Sequence, residues 1–395
     1  MDTKPEPEIK LSNCKRDSYH IDMFSIQNIR SDVVKPPFDY ESNKKHDVIL
    51  SAYMNSGSRY TGQLLGFRNE SFFFYEPLWR FSIWDYYRPA DIQCSSTVGS
   101  CRTVKTTEVN SYQLDQRNNA LEKVIDPLPS DIQPIELMLY ILSNILRCDL
   151  VSLKYLIQER VHDHPNYAGP SWRKYTECLL KFNPKSKCLS DLEQICKKKS
   201  HRIIKVLRLT AGTFRPLLKT NPRLSIIHLV RDPRAIIHSR LFSRFYPSTT
   251  RNNNDSLERN LCDKMLDDVI EVKRLQEDFP GRVHIVYYED LNSENYVTLK
   301  HLYNFLDLNF NESEVKSLAQ VKINLAPPER GSNFTEDRKN HNTFWWRKHM
   351  KWETIKRVDN VCYKVYYELG YKILSKSQVG DLTYNSLEIP PSLQL

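Results

Sequence analysis

Five short runs, each built around apolar residues, constrain this chain more than any other feature. They are His46–Tyr53, Ser71–Tyr75, Arg202–Leu209, Leu224–Val230 and Val283–Tyr288. Runs this short and this evenly apolar suit strands buried on both faces, as strands of a parallel sheet are. Between them the period changes. Tyr60, Leu64, Leu65 and Phe67 recur at helical spacing, and helices are expected over 135–159, from Pro233 to about Phe245, and over 257–278 and 297–307. Strands alternating with helices predict an α/β fold, a central parallel sheet flanked by helices. A chain of 395 residues is long enough to bury the core such a sheet needs. Residues 1–45 are polar and read as a flexible arm. Residues 86–130, with Pro89, Gly99, Pro127 and Pro129, read as an irregular insertion or lid.

Charge narrows the function only slightly. A formal net charge of +9 suits a phosphorylated cofactor, an acidic glycan or nucleic acid. No zinc-finger spacing or RNA-binding signature accompanies it, which disfavours nucleic acid. The cysteines match no metal site, so no metal is expected. No apolar run approaches the roughly 20 residues that span a bilayer, and the start, Met1-Asp2-Thr3-Lys4-Pro5, lacks the apolar stretch of a signal peptide. Taken literally, the chain reads as soluble and cytoplasmic. Nine cysteines and the Asn-x-Ser/Thr sequons at Asn69, Asn254, Asn311 and Asn333 point the other way. Sequons also arise by chance, and cysteine serves as a small buried hydrophobe, so both readings stay open. The group Cys178, Cys188, Cys196 is the place where a disulfide is most expected.

Two stretches carry candidate chemistry. Ser56-Gly57-Ser58 lies where the loop after the first strand enters a helix, which offers N–H groups and a positive dipole end to an anion. A nucleoside-triphosphate loop would end in Gly-Lys-Ser/Thr, and that lysine is absent. Arg231 follows the fourth apolar run directly, at the sheet edge where open α/β folds bind ligands. Ser239 comes eight residues later, about two helical turns on. Together they suit a phosphate gripped from two sides. The competing reading of Arg231-Asp232-Pro233-Arg234 is a helix start with surface arginines.

Leu229-Val230-Arg231-Asp232-Pro233-Arg234-Ala235, continuing to Ser239-Arg240, resembles the 3′-phosphate motif of the carbohydrate 6-O-sulfotransferases acting on galactose, N-acetylglucosamine and N-acetylgalactosamine. Gly62-Gln63-Leu64, Glu76-Pro77-Leu78-Trp79, Arg147-Cys148-Asp149-Leu150, Tyr288-Glu289-Asp290-Leu291, Trp346-Arg347 and Leu369-Gly370-Tyr371 also resemble that family, in the same order. The resemblance covers 46–372, read as one sulfotransferase domain, and leaves 373–395 as a C-terminal tail.

The resemblance implies a P-loop-like sulfotransferase fold using 3′-phosphoadenosine 5′-phosphosulfate (PAPS) as co-substrate, without a metal. The acceptor would be a glycan or glycoprotein hydroxyl, in the Golgi lumen, where family members are held by an N-terminal membrane helix. Ser56, Gly57 and Ser58 would wrap the 5′-phosphosulfate, and Arg231 and Ser239 would hold the 3′-phosphate. Glu76 would be the general base, and Lys205 and Arg208 would neutralise charge on the transferring or leaving group; the competing readings are a strand-terminal Glu76 paired with an arginine and, for Arg208, a structural salt bridge. Trp79, Trp84, Tyr86 and Tyr87 are candidates to stack on a sugar ring, against the commoner role of such aromatic clusters as core. One departure bears on catalysis. Asn55 stands where the family usually has arginine, and Arg59 where it has a small hydroxyl residue. Either Arg59 replaces the missing cation, or the chain is a catalytically weak member that binds nucleotide or glycan without efficient turnover.

Overall fold

The computed structural model describes residues 34–35, 46–81, 84–97, 99–108, 111–114, 121–124, 132–154, 156, 169–181, 183–241, 254–291, 296–324 and 343–393. The expected arm lies outside them except for Val34 and Lys35. Among the described residues ten strands are formed: β1 (His46–Ala52), β2 (Ser71–Tyr75), β3 (Asp85–Arg88), β4 (Ile92–Ser95), β5 (Cys101–Thr103), β6 (Ser111–Leu114), β7 (Leu121–Val124), β8 (His201–Val206), β9 (Leu224–Val230) and β10 (Val283–Tyr287).

The five apolar runs become one sheet in the order β10-β9-β1-β8-β2, with every pairing parallel. Alternation along each strand sends side chains to opposite faces. Ile49, Phe72, Phe74, Ile204, Val206 and Ile226 enter one apolar cluster with residues of helices Pro134–Leu146, Asn254–Asp278 and Trp352–Leu369. Val48, Leu50, Phe73, Ile203, Ile227 and Val286 enter a second with residues of helices Ser58–Gly66 and Val297–Phe305. The chain leaves β1 toward β2, returns to fill the gap with β8, then crosses to β9 on the other side of β1. That reversal opens a crevice at the C-terminal ends of β1, β8 and β9.

Three elements differ from the sequence reading, and the end of a fourth lies outside the described residues. The helix expected to run to residue 159 stops at Leu146, where Cys148 takes φ 56 and a 3₁₀ turn follows at Val151–Leu153. Residues 242–253 lie outside the described set, so the helix expected to reach Phe245 is described only to Leu241. The stretch expected to be irregular holds an antiparallel sheet β3-β4-β5 and a hairpin β6-β7. Its strands are only three or four residues long, too short for periodicity to register. The expected tail folds back: Tyr371 bridges to Leu387, and Leu374, Val379, Leu387 and Leu393 join the larger core cluster.

Disulfides link Cys94–Cys101, Cys148–Cys196, Cys178–Cys188 and Cys262–Cys362. Of the three grouped cysteines, Cys178 and Cys188 pair, while Cys196 reaches 48 residues back to Cys148. Among the described residues no helix is long and apolar enough to cross a membrane.

Candidate active site

The loop after β1 is bent by two left-handed residues, Asn55 (φ 67) and Gly57 (φ 90), on either side of Ser56. The Tyr53 carbonyl accepts both the Ser56 N–H (3.2 Å) and the Ser56 Oγ–H (2.8 Å), which pins the turn. The helix then starts at Ser58, and the Thr61 N–H donates to the Gly57 carbonyl at 3.2 Å. A bend of this kind leading into a helix dipole is an anion-binding concavity. Glycine at position 57 is required twice over. Its φ disfavours other residues, and a Cβ there would lie 2.1 Å from the Tyr288 ring.

Tyr288 also carries Arg231, whose guanidinium carbon sits 4.7 Å above the ring centroid. Arg231 Nη1 donates to the Asn55 carbonyl at 3.2 Å, and Asn55 Nδ2 donates to Ser239 Oγ at 3.2 Å. Asn55 thus joins the two expected 3′-phosphate residues, and its side chain turns toward Ser239 and away from the Ser56-Gly57-Ser58 bend. The reading of Arg231-Asp232-Pro233-Arg234 as a run of surface arginines fails for Arg234, which is fully buried. It makes a fork to Asp232 (2.9 Å to each oxygen), reaches Asp359 at 3.3 Å and lies between the Trp346 and Tyr366 rings. The Asp232 N–H donates to Glu289 Oε1 at 2.9 Å, and Tyr371 Oη donates to Glu289 Oε2 at 3.2 Å. Burial pushes the Glu289 carboxyl up to about 7, against the hydrogen bond from the Asp232 amide. These groups build the floor on which Arg231 stands.

Glu76 follows β2 with φ 42, and its N–H donates to the Lys205 carbonyl at 3.1 Å. Lys205 Nζ donates to Glu76 Oε1 at 2.6 Å, and Arg208 Nη2 lies 3.5 Å from Glu76 Oε2. All three are buried. Burial alone would raise the Glu76 carboxyl, but Lys205 and Arg208 outweigh it and hold the group below the usual carboxylate range. Burial lowers the Lys205 ammonium to about 8; Glu76 resists that shift, while Arg208 and Arg59 add to it. Arg59, on the first turn after the bend, adds positive charge to the surroundings of Lys205. The side chains named in the sequence gather into two neighbouring groups: Glu76, Lys205, Arg208 and Arg59, and Asn55, Arg231 and Ser239.

The proposed aromatic platform does not survive intact. Tyr87 is fully buried and Tyr86 nearly so, with Lys264 Nζ 5.0 Å from its ring centroid, whereas Trp79 and Trp84 are part-exposed. Sequence reading also missed a buried polar chain behind the bend. His228 Nε2 meets Tyr53 Oη at 2.8 Å, His228 Nδ1 meets Ser51 Oγ at 3.2 Å, and Lys264 Nζ donates to Asp268 at 2.6 Å. Burial lowers His228 to about 4 and keeps the ring neutral. A histidine inside an apolar strand was the only trace of this chain in the sequence, and its partners come from distant segments.

The family model described as the sulfotransferase domain matches residues 45–370. Carbohydrate sulfotransferase 1 of Danio rerio is 25% identical over 372 residues, covering 87% of this chain and 82% of its own length. Carbohydrate sulfotransferase 2 of Homo sapiens is 24% identical over 396 residues, covering 88% and 69%. Carbohydrate sulfotransferase 3 of Rattus norvegicus is 22% identical over 371 residues, covering 90% and 73%. A solved mouse sulfotransferase, SULT7A1 complexed with PAP, aligns with a TM-score of 0.37 at 14% identity, covering 82% of this chain and 85% of that one.

Proposed function

Since this chain belongs to the sulfotransferase domain family, we propose that it transfers the sulfuryl group of PAPS to a glycan hydroxyl. The acceptor is the 6-OH of an N-acetylglucosamine, galactose or N-acetylgalactosamine unit. The observation that carries the reading is the contact of two anion sites through one residue: the Asn55 carbonyl holds Arg231 and its amide holds Ser239, one residue before Ser56-Gly57-Ser58. A nucleotide with phosphate groups on both its 3′ and 5′ carbons needs two such sites side by side.

In the reaction Glu76 takes the proton of the acceptor hydroxyl. The hydroxyl oxygen forms the new S–O bond as the bond from sulfur to the 5′-phosphate oxygen breaks, and the leaving electron pair stays on that phosphate. Lys205, Arg208 and Arg59 supply positive charge for the transferring group and the leaving oxygen. The pocket contributes in-line positioning and needs no covalent intermediate.

Arg231→Ala and Ser239→Ala are each expected to weaken binding of PAP by about 10-fold or more, with 5′-AMP binding changed little. Calorimetric titration with both nucleotides checks this, and equal losses for the two would refute the 3′-phosphate assignment. A second reading, a member that binds without efficient turnover, is favoured by one feature: Asn55 brings no charge to its position. Release of PAP measured against a panel of glycan acceptors separates the two.

We assign the enzyme to the Golgi lumen. Four disulfides support an oxidising compartment, as do the exposed sequons at Asn69 and Asn311. Mass spectrometry of protein from its own cells is expected to find Cys178 linked to Cys188, Cys148 linked to Cys196, and glycan on at least one sequon. Free thiols and bare asparagines throughout would return the protein to the cytoplasm.

A further inference from the structure

The small sheet β3-β4-β5 has two faces with different jobs. On one, Tyr86 and Arg88 point to helix Asn254–Asp278: Lys264 lies by the Tyr86 ring, and Arg88 Nη2 reaches Asp267 at 2.8 Å. That face is an anchor. On the other, Asp85 and Tyr87 of β3 stand opposite Ser95 and Gln93 of β4, and Gln93 stands opposite Arg102 of β5. Gln93 Nε2 donates to both Asp85 Oδ2 and Tyr87 Oη, each at 3.2 Å. Tyr87 Oη in turn donates to the Phe81 carbonyl at 3.2 Å. The Asp85–Gln93 pair is therefore braced from beneath by a fully buried tyrosine.

The sheet is linked to the reaction centre through its backbone. The Tyr87 N–H donates to the Arg208 carbonyl at 2.8 Å, and the Thr210 N–H returns to the Tyr87 carbonyl at 3.0 Å, so β3 is tied to the segment that carries Arg208. Arg208 is the same residue that reaches Glu76. Asp85 and Gln93 are both part-exposed, unlike Glu76 and Lys205. Burial raises the Asp85 carboxyl, while hydrogen bonding from Ser95 and the charges of Arg208 and Arg102 oppose the rise. The Cys94–Cys101 disulfide joins facing residues of β4 and β5 and holds the sheet together.

A carboxylate hydrogen-bonded to a primary amide, both part-exposed and braced by Tyr87, is well matched to adjacent sugar hydroxyls. The carboxylate can accept from O–H groups, and the amide oxygen can accept another, its two N–H donors being held by Asp85 and Tyr87. Resting on the sulfotransferase reading above, we propose that Asp85 and Gln93 form the binding subsite for the acceptor glycan, gripping neighbouring hydroxyls of an uncharged sugar unit beside Glu76. A uronate or other anionic unit at this position would face the Asp85 charge and be disfavoured.

The test is direct binding to the PAP-loaded protein, using an oligosaccharide of alternating galactose and N-acetylglucosamine as probe. Asp85→Asn and Gln93→Ala are each expected to weaken this binding by about 10- to 100-fold, with PAP affinity and melting temperature near wild type. In turnover assays the loss should fall on the acceptor KM, with kcat changed far less. Unchanged oligosaccharide binding in Asp85→Asn overturns the subsite, as does a parallel fall in PAP affinity and melting temperature in both variants. Equal wild-type binding of a uronate-containing oligosaccharide overturns the preference for an uncharged unit. Should the wild type bind the probe and lose it on Asp85→Asn, yet release no PAP with any acceptor, the transfer reading fails and the subsite stands.

Discussion

Replacing Glu76 with glutamine is expected to lower turnover by about 10²–10⁴-fold, the range of a general base, while PAP affinity stays near wild type. Two separate effects contribute. The carboxylate that takes the hydroxyl proton is gone, and Lys205 loses the partner that holds its ammonium up against burial. A change of pH separates them. If the loss arose only from a neutral Lys205, lowering the pH toward 6 would reprotonate the lysine and recover activity in the variant. A missing base gives no such recovery, and that is the expected result. The wild-type profile follows from the same pair. Glu76 is held below the usual carboxylate range, so activity falls on the acid side only below that range. Lys205 is charged below about 8, so activity declines as pH rises through that value. Glu76→Gln keeping more than about a tenth of the wild-type rate would place the base elsewhere.

Arg59→Ser is expected to lower turnover by about 10²–10³-fold, the worth of a preorganised donor at a point of developing charge. The Arg59 charge bears on Lys205, while the Asn55 side chain donates to Ser239, and we propose that Arg59 takes the place of the cation missing at position 55. The double change Asn55→Arg, Arg59→Ser should restore part of the rate. Recovery stays partial because residue 55 has positive φ, a strained setting for arginine, and because the contact with Ser239 is lost. A second readout does not depend on rate: Arg59 helps depress the Lys205 ammonium, so Arg59→Ser should move the alkaline limb of the pH profile upward. Unchanged turnover and an unmoved limb would show that Arg59 does not face the reacting group.

Much of this architecture was written in local pattern. The five sheet strands were legible because a strand buried on both faces is apolar throughout, and that signal needs no partner to be read. The bend at Ser56-Gly57-Ser58 and the residue after β9 were legible because glycine, small hydroxyls and an arginine at a strand end have meaning wherever they occur. The three short strands from Asp85 to Thr103 were not, since three or four residues hold barely one period and their stability comes from pairing and the Cys94–Cys101 link. Burial of Tyr86 followed from that sheet docking against Asn254–Asp278, and burial of Tyr87 from its packing on the opposite face beside Phe81 and Gln93, so half of an aromatic run that could have met a sugar became core. Charge state was the least legible of all. Glu76, Lys205 and Arg208 were named through the family resemblance, yet which carboxyl stays ionised and which ammonium is weakened depend on burial and on distances near 3 Å. Those are set between segments more than a hundred residues apart in the chain, and only the folded arrangement of β2 against β8 brings them together.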